Sequence, residues 1–119
     1  IVIIEDNVSG RNFFCQTLLR ENYKLIAITS ENIEEVEKDS NASLIIIGSI
    51  AGEKGLDLCV KFKASERTKR IPILIIAGKD DHRNILEYYS QSADLYLRKP
   101  ISRKELINQV KALIDSKKK

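Results

Sequence analysis

At 119 residues, with 43% hydrophobic and 31% charged residues, the chain has the size and composition of one globular domain. No apolar run reaches the roughly 20 residues that span a bilayer, and no signal-peptide pattern opens the chain, so a membrane role is set aside and a cytoplasmic location is expected. The net charge of +3 is small, and an aromatic content of 6% without basic–aromatic interleaving offers no stacking surface for bases, so nucleic acid is expected only through an effector domain outside this segment.

The first residue is Ile, as in a segment cut from a longer protein, and the expected division is a domain over 1–116 and a basic tail or linker start at 117–119. Cys15 and Cys59 lie in apolar segments without CxxC or Cys/His spacing, so buried, reduced thiols are expected and zinc is not.

Ile1 to Ile4 is an all-apolar run, read as a strand covered on both faces, and it ends in Glu5, Asp6 and Asn7. Val8 to Arg20 reads as a helix capped by Asn7 or Ser9, with Phe14 and Leu18 on one face. Tyr23 to Ile28 is a second strand, nearer an edge because Lys24 interrupts it. Ser30 is the expected cap of a helix over Glu31 to Lys38, with Ile33 and Val36 inward. Leu44 to Ile47 is a third apolar run, ending at Gly48 and Ser49. Gly52 and Gly55 then suggest a flexible turn before a helix from about Leu56 to Ser65 that buries Leu58, Cys59 and Phe62.

Ile71 to Ile76 is a fourth strand, ending at Ala77 and Gly78, with Pro72 tolerated at its start. A helix to about Ser90, capped by Asp80 or Asp81, carries Ile85, Leu86 and Tyr89 inward. Ala93 to Leu97 is the last strand, closed by Arg98, Lys99 and Pro100. Ser102 and Glu105 form a capping box for a final helix with a stripe of Leu106, Ile107, Val110, Leu113 and Ile114. Strand and helix alternate five times. This predicts an α/β, flavodoxin-like (βα)5 three-layer sandwich around a five-stranded parallel sheet of order 2-1-3-4-5.

Ligands of such sheets bind beyond the carboxyl ends of the strands. There the first strand delivers Glu5 and Asp6, the third Gly48, the fourth Ala77 and the fifth Lys99. With IVIIEDN, SLIIIG, GLDLC, IPILIIAG and ADLYLRKPI in this order, the chain resembles the receiver domain of two-component response regulators over essentially its whole length.

The resemblance implies roles for these positions. In that family an aspartate ending the third strand takes a phosphoryl group from a histidine kinase, and Gly48 stands there. Glu5 and Asp6 match the acidic pair that helps hold magnesium, Ala77 replaces the Thr or Ser of the fourth strand, Tyr96 matches the switching aromatic, and Lys99 the invariant lysine before a proline. A carboxylate nucleophile and a hydroxyl donor are both missing. The resemblance therefore implies a pseudo-receiver: not an enzyme, without a cofactor, its magnesium binding weak, with a degenerate site at Gly48, Ala77, Glu5, Asp6 and Lys99. Its contact surface would lie around Tyr96, Arg98, Tyr88 and Arg103, facing a kinase, an output domain or a second receiver.

Each candidate has a plainer reading. Glu5 and Asp6 can be an acidic pair compensated by Lys99; Ser49 can be an ordinary loop serine; Asp57 lies on the following helix; His82 has no companion ligands. Two alternatives remain, a phosphoacceptor receiver with a displaced acceptor, and a small-ligand module using the space vacated at Gly48 and Ala77, although no phosphate-binding glycine motif supports the latter.

Overall fold

Strands made wholly of large apolar residues can leave neither face in water, and the architecture follows from that requirement. The computed structural model describes residues 1–38, 42–48, 52–78 and 93–118. Its elements are β1 (Val2–Ile4), α1 (Val8–Leu19), β2 (Ile26–Ile28), a 3₁₀ turn (Ser30–Asn32), α2 (Glu34–Lys38), β3 (Ile45–Ile47), α3 (Gly52–Ala64), β4 (Ile73–Ala77), β5 (Leu95–Arg98) and α4 (Arg103–Lys118). The helix expected before the last strand, with His82, Tyr88 and Tyr89, lies outside the described residues, as does Ser49.

The five strands are all parallel, in the expected order β2-β1-β3-β4-β5. Alternate side chains divide the core in two. Val2, Ile4, Ile45, Ile47, Ile73 and Ile75 pack with Val36 of α2 and with Leu58, Cys59 and Phe62 of α3. Ile3, Ile46, Leu74 and Ile76 pack with Phe14 and Leu18 of α1 and with Leu106, Val110 and Ile114 of α4. Burying each such large side chain is worth about 1.5–3 kcal/mol. The caps read from the sequence form: Asn7 Oδ1 accepts from the Gly10 N–H at 2.9 Å, and Ser102 Oγ accepts from the Glu105 N–H at 3.1 Å.

Several boundaries differ from expectation. β2 begins at Ile26 rather than Tyr23: its three residues Ile26–Ile28 pair in register with Val2–Ile4 of β1. Thr29, not Ser30, caps the next segment, which opens as a 3₁₀ turn before α2; the Ser30 hydroxyl is committed elsewhere. Gly52 and Gly55 lie inside α3 rather than in a turn before it. Their cost of about 1 kcal/mol each in a helix is smaller than the gain from burying Leu58, Cys59 and Phe62. α4 continues through Lys118, so Lys117 and Lys118 belong to it and not to a tail. β5 is Leu95–Arg98, one step later at its end and two at its start than expected.

That late start leaves Asp94 to join β5 to β4. Its backbone N–H donates to the Ile73 carbonyl at 3.0 Å, while its Oδ2 accepts from the Ile73 N–H at 2.8 Å and from Lys63 Nζ at 2.7 Å. Asp94→Ala is therefore expected to lower unfolding stability by about 1–2 kcal/mol in urea melts. Lys63→Ala, which removes only the part-exposed charge, is expected to lower it by less than about 1 kcal/mol. Equal effects would contradict the backbone anchor.

Cys59 is completely buried, and desolvation pushes its thiol up to about 12; burial also raises the half-buried Cys15 thiol. Both thiols are thus held in the neutral form, Cys59 most strongly. At about pH 8, where a free cysteine is partly thiolate, iodoacetamide should reach Cys59 only after urea unfolding, as read by mass. Rapid labelling of Cys59 in the folded protein would contradict its placement.

Candidate functional site

The register fixes which residues meet at the carboxyl edge. Ile4 pairs with Ile47, so Glu5 and Gly48 stand one step past the last pair of β1 and β3, and the Gly48 N–H donates to the Ile4 carbonyl at 2.9 Å. Ala77 pairs with Arg98, and the Lys99 N–H then donates to the Ala77 carbonyl at 2.9 Å. The peptide bond that follows, Lys99–Pro100, is cis.

The two neighbouring acids go different ways. Glu5 turns in and is 0% exposed. Its Oε1 accepts from Lys99 Nζ at 3.4 Å, its Oε2 lies 3.5 Å from the Asn7 N–H, and its own carbonyl accepts from the Arg11 guanidinium at 2.9 Å. Gly10 of α1 and Gly48 line the space its carboxylate fills: a Cβ built on Gly48 would stand 2.7 Å from Glu5 Oε1 and 2.8 Å from its Cδ, and one on Gly10 would collide with Oε1 as well. Asp6 turns out to the segment after β2. Its Oδ1 accepts from the Ser30 N–H at 2.7 Å and its Oδ2 from the Ser30 hydroxyl at 2.9 Å.

Magnesium wants an octahedron of oxygens. As placed, this pair does not offer one: Glu5 is sealed behind Gly10 and Gly48 against a lysine, and Asp6 has both oxygens on Ser30. Among the described residues no three His, Cys, Asp or Glu side chains gather as a metal site. Nor is the space beside Gly48 the vacant cavity considered from the sequence, because Glu5 fills it and Ala77 is buried. Among the described residues a groove of about 560 Å³ lies across Gly10, with Ser9, Phe13, Gly78, Lys99 and Ile101 among its lining.

Residues 1–111 match the model of the response regulator receiver domain. The chain belongs to that family. Curated relatives of this receiver domain include the phosphate regulon transcriptional regulatory protein PhoB of Pseudomonas aeruginosa, 28% identical over 116 residues, and the transcriptional regulatory protein ResD of Bacillus subtilis, 28% identical over 118 residues. Each alignment takes in 96% of this chain but only 51% and 47% of those proteins, so the chain spans about half the length of the relatives it matches. Among solved structures, a CheY-like receiver domain protein from Methanospirillum hungatei superposes with a TM-score of 0.85 at 17% identity, covering 98% of this chain and 94% of that one. The chemotaxis protein CheY4 of Vibrio cholerae superposes with a TM-score of 0.81 at 16% identity, covering 94% and 95%.

Of the expected contact residues, Tyr88 lies outside the described residues and the other three are placed as follows. Tyr96 is half-buried against the α2 and α3 side of the sheet. Arg98 is exposed. Arg103 sits on the opposite side, its guanidinium 5.6 Å from the ring centre of Phe13 on α1. Asp57 lies on α3, the helix expected for it, and its side chain is exposed. Two residues that shape the site were not singled out in the sequence as its parts. Gly10, an internal helix glycine where Ala would be favoured, was a usable signal; Ser30 was read only as a cap.

Because Glu5 has no exposure and Lys99 is 28% exposed, removing the lysine leaves a buried carboxylate without its cation. Lys99→Met is expected to lower unfolding stability by about 1–3 kcal/mol. Lys69→Met, which breaks the exposed pair with Glu66, should change it by less than about 1 kcal/mol. Indistinguishable melts would show that the Glu5–Lys99 contact carries no weight.

Proposed function

We propose that this receiver domain works as a protein-interaction module whose signalling state does not depend on an aspartyl phosphate. The observation that carries this reading is the end of β3. Gly48 offers no nucleophile there, and the carboxylate beside it, Glu5, is buried and held by Lys99. Phosphoryl transfer from a phosphohistidine to an acid needs an accessible carboxylate oxygen. Ala77 brings no hydroxyl to a phosphoryl group, and Asp6 is spent on Ser30. On this reading the domain is not an enzyme, needs no cofactor and holds magnesium weakly if at all.

Its partner would be a protein of the same signalling system: a kinase, an output domain or a second receiver. The relatives' names describe transcriptional regulators, so any contact with nucleic acid would come through an effector domain. Tyr96 and Arg98, on the outermost strand β5, are the described residues best placed for a partner; Arg103 belongs with Phe13 on the far side.

Incubation with acetyl phosphate and magnesium, followed by intact mass under conditions that preserve acyl phosphates, is expected to leave the protein's mass unchanged. A phosphate adduct mapped to a carboxylate near the carboxyl edge would establish the competing reading, a receiver with a displaced acceptor.

A further inference from the structure

The reading above leaves open what Lys99 does at a site with no acceptor. We infer that Glu5 is the resident carboxylate of Lys99, seated in the space that a side chain at position 48 would need, so that the site is closed by a ligand from its own chain. The inference deepens the proposed function and rests on it in one respect, that Lys99 does not await a phosphoryl group.

Three observations carry it. First, neither glycine that bounds the carboxylate has a backbone reason to be glycine: no described glycine has a positive φ. What excludes a side chain is Glu5 itself. At Gly48 its Oε1, Cδ and Oε2 stand 2.7, 2.8 and 3.1 Å from a built Cβ, and at Gly10 its Cδ stands at 3.1 Å with Oε1 closer still.

Second, the carboxylate cannot give way without loss. It is completely buried, and a shift of either oxygen costs it the Lys99 ammonium or the Asn7 N–H. A buried carboxylate deprived of its hydrogen-bonding cation loses far more than a surface one. Third, Asp6, the acid next to Glu5, is held outward by two hydrogen bonds to Ser30 and so does not compete for the lysine.

If Glu5 supplies the carboxylate that position 48 does not, the two positions are exchangeable in a defined way. An aspartate at 48 puts a second carboxylate into occupied space, next to a like charge and with one lysine between them, which is unfavourable. With Glu5 removed, the same aspartate enters free space and returns a carboxylate to Lys99. The effects of substitution at 5 and 48 therefore change sign with background and do not add, as contacting residues in one network do.

The test is a four-protein thermal melt without magnesium: the unaltered chain, Glu5→Ala, Gly48→Asp and the double variant. Each single variant is expected to lower the melting temperature by about 4 °C or more, and the double variant to melt above Glu5→Ala. Losses that add, or a Gly48→Asp protein that melts as high as the unaltered chain, overturn the inference. If a single variant does not fold, a folded double variant supports the inference and an unfolded one overturns it.

Gly10→Ala gives an independent reading. Ala normally stabilises an internal helix position relative to Gly. Here it is expected to lower the melting temperature, and a rise overturns the seat. The outcome is separable from that of the parent reading. Phosphate labelling of the unaltered chain ends the phosphate-independent function whatever the melts show, and additive melts end the role of Glu5 even when the chain stays unlabelled.

Discussion

A parallel sheet buried on both faces has almost no place for polar atoms except the ends of its strands. Residues 2–4, 45–47 and 73–77 are all buried, and every one of them is apolar. Polar chemistry is pushed to the carboxyl edge, where Glu5, Gly48, Ala77 and Lys99 follow one another on neighbouring strands. The Glu5–Lys99 contact is the point at which that edge touches the core, because Glu5 is a charged group with no exposure and the lysine is the cation beside it. In a low-dielectric site such a group must be paired or neutral. The local arrangement at this edge follows from satisfying it: glycine at 10 and 48, the Asn7 N–H turned toward it, and Asp6 directed elsewhere.

The strands were legible in the sequence for the same reason. Two-faced burial demands unbroken runs such as Ile45–Ile47 and Ile73–Ile76, and a β-branched run of that length has few other uses. Helix α4 was legible through Ser102, Glu105 and its apolar stripe. The start of β2 was not, because it is set by register with β1 in another part of the chain. Nor was the start of α3, because glycine propensity at 52 and 55 argues locally for a turn while the packing of Leu58, Cys59 and Phe62 is a tertiary matter.

At the site, positions were readable and directions were not. The βα alternation places Glu5, Asp6, Gly48 and Lys99 at one edge, and the compensation of the acids by Lys99 could be anticipated as a simple charge balance. That Glu5 turns in while Asp6 turns out could not. The first depends on space left by Gly10 one helix turn into α1, and the second on Ser30, which the chain brings to Asp6 from 24 residues away. The same applies to Arg103 and Tyr96. They look like neighbours in a surface list, yet the parity of β5 sends Tyr96 to one face of the sheet while Phe13 holds Arg103 on the other.

The central claim is that the carboxyl edge is closed by an ion pair within the chain and not poised for a metal and a phosphate. A high-resolution crystal structure of the protein grown with excess magnesium tests this most directly. The account predicts the Glu5 carboxylate on Lys99 Nζ at close to the 3.4 Å found here, Asp6 on Ser30, and no ion between the two acids. A magnesium ion bridging Glu5 and Asp6, with Lys99 turned away, would contradict it.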